Sequence, residues 1–409
     1  MIPVVTRRHN IYRLQQNSVP YGIQVLEKYM SITAVTAEPI SGKVKSDLAI
    51  ISSLTFLESD DYLHGQYVLV RIHDDEGRVG LGEASVTAVW SGETQAGTIA
   101  LIKEVLAPIV IGADPFDLEW ICRRMDRAAF ANSFAKGAVE MALLDLQGQI
   151  LGLPVYKLLG GMASGGRKPP VDSGDDPGIR LKFVIGAVEP ELAAQRAHRM
   201  VKAGWKAIKV KVGRHEHPKV DVERLHAVRQ AIGEDIWLSV DANGGYTVEQ
   251  AVWAATHLEK LNVALFEQPT RRGDHLAMAD VRRKSPILIM ADESVFTPQD
   301  ALDVIRHQAA DVLSLYPGKH GGIRATQQIA KMAEAAGIPC TIGSNLEREV
   351  ATAAMAHVTV CTANLQCERF PGDLIGPLYY EQSLSTEALS YQADRLWVPQ
   401  KPGLGVRVP

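Results

Sequence analysis

The chain has 409 residues, 46% of them apolar and 22% charged, with a formal charge of −4, the profile of an ordinary globular protein with ample core. A balance so near neutrality offers no polybasic face for nucleic acid, and no apolar run approaches the roughly 18 residues of a membrane span. The four cysteines, Cys122, Cys340, Cys361 and Cys367, form no Cys-x-x-Cys pair and read as the reduced thiols of a cytoplasmic protein.

Residues 1–29 are polar, mixed in charge and without the apolar region of a secretory signal. Met30 is a candidate start, so 1–30 reads either as an added upstream segment or as an extension packing on a neighbouring subunit. Residues 32–39 alternate like a strand, and 67–72 and 79–83 follow as two more, joined by the turn Asp74-Asp75-Glu76-Gly77. Helical spacing then runs over 94–110, 115–129 and 134–151. Strands followed by helices make 31–160 an α+β domain. The long segment 45–65 between the first two strands reads as a lid.

A Gly/Pro/Ser/Asp loop at 164–178 separates this domain from a different pattern. Over 161–377, short apolar runs alternate with helices at 191–203, 220–232, 247–260, 298–307 and 324–336. The runs lie at 181–185, 207–208, 236–238, 263–266, 287–290 and 312–315, with two softer ones near 339–342 and 363–366. Charged groups recur at the ends of these runs: Lys209 and Lys211, Asp241, Glu267, Asp292 and Lys319. The intervals of roughly 25 to 30 residues match one strand, one helix and two short loops. The fold class is therefore α/β, a modified (β/α)8 TIM-type barrel with an N-terminal α+β capping domain. Residues 378–409 return to that cap.

Lys209 and Lys211 stand at i and i+2 of one strand and share a face. Two ammonium groups about 6 to 7 Å apart repel by roughly 2 to 3 kcal/mol at an effective dielectric near 20. That would bring a lysine down by about two pK units, towards the range of a base near neutral pH. Asp241, Glu267 and Asp292 cannot converge without a compensating cation. An all-oxygen set without His or Cys favours Mg²⁺, or Mn²⁺, over Zn²⁺. A metal so held is a Lewis acid for a substrate carboxylate whose neighbouring carbon loses a proton. Lys319 would face the lysine pair across the barrel mouth, as a second acid/base or as spectator charge. Asn243 and Gln268 are placed to orient the metal acids, and Glu293 is either a further ligand or an orienting group. Asn345 and Glu347 fall where a seventh strand ends. His215-Glu216-His217 reads as a solvated turn rather than a metal site.

These motifs resemble the enolase superfamily, in its mandelate racemase/muconate lactonising family and specifically the muconate cycloisomerase subgroup. The likeness covers 31–409. It rests on Lys209-x-Lys211, Asp241-x-Asn243, Glu267-Gln268-Pro269, Asp292-Glu293-Ser294, Lys319-x-Gly321-Gly322, Leu346-Glu347, the helix at 135–142 and Ile375-Gly376-Pro377-Leu378. The resemblance implies a Mg²⁺-stabilised enolate, Lys211 as acid/base with Lys209 as its electrostatic partner, Lys319 on the opposite face, and metal bound by Asp241, Glu267 and Asp292. It implies specificity from capping loops around 45–65 and 86–94, where Tyr62, His64 and Trp90 are expected over the substrate. Gln366-Cys367-Glu368 stands where dipeptide epimerases resemble Asp-x-Asp, which disfavours that outcome. The leading expectation is a muconate cycloisomerase-like isomerase or lyase acting on a small carboxylate, as a homo-oligomer. The competing one is an epimerase, racemase or dehydratase of an N-modified or hydroxyproline-like amino acid. From another class, a metabolite-binding barrel without turnover would keep the acids but need no second lysine face.

Overall fold

Three antiparallel strands, β1 (Ile32–Lys43), β2 (His64–Asp74) and β3 (Val79–Ser85), form a meander in the order β1-β2-β3. The computed structural model describes residues 30–54, 64–163 and 178–409. The β2–β3 hairpin is tightened by Asp74, whose carboxylate accepts from the Glu76 and Arg78 amides at 3.0 and 2.8 Å. β1 runs beyond its alternating stretch as far as Lys43, because its ladder continues to Lys43 opposite His64. The helix Ser133–Leu151 lies across β3. Gly80 and Gly82 permit this, since a Cβ at either would strike the carbonyl of Ala142 or Ala138.

The expected helix over 94–110 is broken into Gln95–Leu101, a π turn at Ile102–Leu106 and Ala107–Val110. Pro108 explains the break, because it has no amide hydrogen to continue the i→i−4 ladder.

After β4 (Ile179–Arg180), seven parallel strands follow in sequence order: β5 (Phe183–Ile185), β6 (Ala207–Lys211), β7 (Trp237–Asp241), β8 (Val263–Glu267), β9 (Leu288–Ala291), β10 (Val312–Leu315) and β11 (Cys340–Ile342). An eighth strand near 363–366 is expected from the sequence, but there the chain makes only single bridges. Leu365 pairs with Cys340 on one side and Gly372 with Leu181 on the other. An irregular segment of 365–372 therefore spans the two edges. β12 (Ser390–Gln392) and β13 (Arg395–Trp397) extend β4. The chain end then reaches the meander, where Arg71 donates to the Pro409 carbonyl at 2.6 Å.

Cap and barrel are stitched by buried carboxylates. Glu83 accepts from the Arg348 and Ala351 amides at 2.6 and 3.1 Å, and Glu140 accepts from those of Ile323 and Arg324. Each thereby satisfies free donors in the first turn of a barrel helix. Of the expected lid, residues 45–54 are described and 55–63, including Tyr62, lie outside the described residues. The described part rests on strand ends: the Ala187 amide donates to Ile51 at 2.7 Å and Ser53 Oγ to the Ala242 carbonyl at 2.8 Å.

His357 is a buried histidine remote from the barrel mouth. Its Nδ1 accepts from the Tyr156 amide and its Nε2 meets the Leu404 carbonyl, both at 3.2 Å. Burial pushes it down to about 4. Its folded value lies below the unfolded value of about 6.5, so its contribution is present above pH 6.5 and is lost as pH falls towards 4. We expect the protein to lose about 2 kcal/mol from this group between pH 7 and pH 5. A His357→Gln variant should show a correspondingly flatter pH dependence of its urea midpoint, and an identical dependence would contradict this.

Candidate active site

β6 carries Lys209 and Lys211, β7 ends on Asp241 and β8 on Glu267, with Lys211, Asp241 and Glu267 level across the sheet. Asp292 follows β9 directly, and Lys319 sits in the short helix Pro317–His320 after β10. All six side chains are buried or nearly so. Lys211 Nζ bonds Asp241 Oδ2 at 2.5 Å and Asn243 Oδ1 at 2.8 Å. Lys209 Nζ bonds Glu267 Oε2 at 2.9 Å and Asp373 Oδ2 at 2.7 Å. Lys319 Nζ bonds Asp292 Oδ1 at 2.5 Å and the Ser314 carbonyl at 2.7 Å. The acids thus form a row along three adjacent strands, with Lys211 on its first member and Lys319 on its last.

The acids around the lysine pair set the charge on Lys209. Burial works against the charge on Lys209, but Asp373, Glu267 and Asp241 outweigh it and hold the amine well above its ordinary range. Lys209 thus stays a cation beside Lys211, because acids from three other segments surround it. Burial likewise raises Asp241, yet Lys211 and Lys209 more than reverse this and leave it below the usual carboxylate range. Glu267 goes the other way, pushed up to about 7 by burial and then by the charge of Asp241. Glu293 is pushed up to about 8 by burial and then by Asp292 and Asp241.

Among the described residues, no three His, Cys, Asp or Glu side chains stand as a ready metal cage, since each acid turns to a lysine. The donor set nevertheless fits a hard divalent cation. Asp241, Glu267 and Asp292 offer only oxygen and line one cavity of about 430 Å³. Burial and then adjacent acids raise Glu267 of this set and the neighbouring Glu293, and Glu293 Oε2 has no hydrogen-bond partner.

The surrounding residues hold this row in place. Asn243 donates to Glu293 Oε1 at 2.8 Å while its amide donates to Asp241 at 2.9 Å. Gln268 Oε1 accepts from the Asp292 and Ser294 amides at 3.0 and 3.2 Å, which sets the turn carrying Asp292. Trp90 is buried at the cavity wall, donates to Glu293 Oε1 at 3.2 Å, and packs on Phe134, Phe296 and Tyr316. Glu347 turns into its own loop, accepting from Ser344 Oγ at 2.6 Å and the Asn345 amide. Asn345 Nδ2 donates to the Ser85 carbonyl at 3.0 Å and to Thr87 Oγ1 at 3.1 Å, binding the loop to the cap. His64 opens β2. In the His215-Glu216-His217 turn, His215 meets Arg224 and His217 accepts from the Lys219 amide.

Sequence reasoning missed two charged groups. Asp373 Oδ2 is shared by Lys209 and by Lys182, a fully buried lysine at 3.1 Å whose Nζ also donates to the Pro371 carbonyl at 2.6 Å. Asp373 follows the irregular eighth position, seven residues beyond Gln366, and lines the cavity with Ile375 two residues later. The eighth-position motif is thus Asp373-Leu374-Ile375, still not Asp-x-Asp. The signal that would have located it is its adjacency to Ile375-Gly376-Pro377-Leu378.

Comparison with known proteins places this arrangement in a family. Residues 61–160 match the mandelate racemase/muconate lactonizing enzyme N-terminal domain, and 192–409 match the enolase C-terminal domain-like family. The chain belongs to the mandelate racemase/muconate lactonising family of the enolase superfamily, and it is an enzyme of the isomerase kind. It is 33% identical over 341 residues to the L-Ala-D/L-Glu epimerase of Bacillus subtilis, covering 83% of this chain and 88% of that one. It is also 33% identical over 349 residues to a chloromuconate cycloisomerase of Cupriavidus pinatubonensis, covering 84% and 89%. Among solved structures, a muconate lactonizing enzyme from Pseudomonas fluorescens complexed with muconolactone superposes with a TM-score of 0.85 at 28% identity, covering 93% of this chain and 97% of that one. A dipeptide epimerase from Enterococcus faecalis, complexed with Mg and L-Leu-L-Tyr, gives 0.82 at 32%, covering 92% and 99%.

Proposed function

We propose that the protein moves a proton at the carbon next to a carboxylate of a small substrate, and that its outcome is inversion at that carbon in an N-modified amino acid. The observation that carries this reading is the placement of Lys211 and Lys319 at opposite ends of the acid row. Asp241, Glu267 and Asp292 would hold Mg²⁺, which supplies stabilisation of the negative charge that develops on the substrate carboxylate. One lysine takes the α-proton and the other returns a proton from the opposite side. Lys209 does not exchange protons in this scheme; its charge, fixed by Asp373 and Glu267, keeps the acid row from repelling the substrate. A free ammonium on the substrate is poorly served, because Asp373 is already shared by two lysines and Ile375 stands beside it.

A second reading, cycloisomerisation of an unsaturated diacid, is favoured by the apolar cavity wall of Val44, Ile50, Leu54, Val86 and Ile375. It needs only one lysine to move a proton. A panel of N-acyl amino acids and of cis,cis-muconate, incubated with Mg²⁺ in deuterated water, separates the two. Deuterium at the α-carbon of recovered and inverted amino acid supports inversion, and a lactone from muconate supports cycloisomerisation. Neither product from any acid would dismiss the reading.

A further inference from the structure

The loop between β11 and the helix Glu349–Val360 closes one side of the cavity with Ser344, Asn345 and Leu346. Leu346 has a φ of 57°, the left-handed region that disfavours a side chain beyond hydrogen. The other non-glycine residues there are Ala, Asn and Gln, so among the described residues Leu346 is the one large apolar side chain held in this way. Such a conformation persists only where its surroundings over-determine it.

Those surroundings can be named. The Leu346 carbonyl lies 2.8 Å from the Tyr67 hydroxyl and 3.0 Å from that of Tyr380, one from the cap and one from the C-terminal segment. The two hydroxyls also touch each other, and their rings meet edge to face at 5.9 Å. Both tyrosines are buried. On one side of Leu346, Asn345 is bound through its side chain and its carbonyl to Ser85. On the other, the Arg348 amide is bound to Glu83 and its guanidinium lies 4.5 Å over the Tyr380 ring. Backbone and neighbours are therefore fastened to the cap. The Leu346 side chain remains half-buried, lining the same cavity as Lys211 and the acid row.

We propose that Leu346, locked in its left-handed conformation by the paired hydroxyls of Tyr67 and Tyr380, is a specificity-determining wall that limits the size of the apolar group carried by the substrate. This rests on the proton-transfer reading for its substrates, though not for the shape of the cavity. A wall pinned by hydrogen bonds at its backbone, with its side chain also packed on the core, keeps its position when different groups press on it.

Two variants test the proposal: Leu346→Ala, which shortens the wall, and Tyr67→Phe/Tyr380→Phe, which removes both hydroxyls and keeps the leucine. For each, the ratio of α-deuterium exchange rates for N-acetyl-phenylalanine over N-acetyl-alanine is compared with the parent enzyme. Leu346→Ala should raise this ratio by about 10-fold or more, the scale of a few methylenes in an apolar pocket, and the double variant should move it in the same direction. Turnover in the parent with an unchanged ratio in Leu346→Ala would overturn the proposal. If the parent exchanges no acid, the proton-transfer reading fails and a binding measurement decides the wall. Thermal shifts are then recorded with straight-chain acids from propionate to hexanoate and Mg²⁺. Leu346→Ala should favour the longer acids relative to the parent, and an identical chain-length profile would overturn the proposal.

Discussion

Lys211→Ala and Lys319→Ala should each lower inversion at the α-carbon by about 10³- to 10⁴-fold, the upper part of the range for one acid/base group. The two losses should not be alike. The lysines bond opposite ends of the acid row, so in the proposed scheme each would reach the substrate from its own side. With one antipode, Lys211→Ala should still wash out the α-proton through Lys319, and with the other antipode Lys319→Ala should do so through Lys211. Proton NMR in deuterated water, run from each antipode separately, checks this. Equal loss from both antipodes in both variants would mean that the lysines do not work on two faces. A parent-like rate in Lys211→Ala would remove Lys211 from the proton transfer.

Glu267→Gln is expected to weaken Mg²⁺ binding by more than about 100-fold, beyond what loss of an outer hydrogen-bond partner produces, and to abolish turnover at millimolar Mg²⁺. Glu267 is the middle acid of the row, level with Asp241 and one strand from Asp292. The substitution keeps the shape, and Lys209 retains Asp373, so the fold should survive. Titration calorimetry with Mg²⁺ and far-ultraviolet circular dichroism separate the two effects. Undiminished Mg²⁺ affinity in a folded variant would remove Glu267 from the metal site. Chelation of the parent with EDTA should give the same loss of turnover, restored by Mg²⁺ or Mn²⁺.

The barrel and its charged rim were legible because parallel strands are short apolar runs whose next residues face the mouth. Asp241, Glu267 and Asp292 each stand at such an end, and no long-range information was needed to find them. Asp373 was not legible, because the eighth position lacks a ladder and makes only the bridges of Leu365 and Gly372. Lys182 was hidden inside the first apolar run. What holds the charge on Lys209 was not legible either: two lysines on one strand are visible in sequence, whereas the acids that surround Lys209 come from β7, β8 and the irregular segment. Trp90 was expected over the substrate. The structure gives it a place in the cavity wall and also a bond to Glu293 and an aromatic cluster, which short-range patterns cannot show. The pinning of Leu346 by Tyr67 and Tyr380 joins residues some 280 and 34 positions away, beyond any local signal.

Crystals soaked with Mn²⁺ and an N-acyl amino acid, measured for anomalous scattering, test most directly whether these side chains share one cation around one carboxylate. The expected result is a single strong peak bound by Asp241, Glu267 and Asp292, with Lys211 and Lys319 on opposite sides of the α-carbon. A peak away from those three acids, or both amines on one side of that carbon, would contradict it.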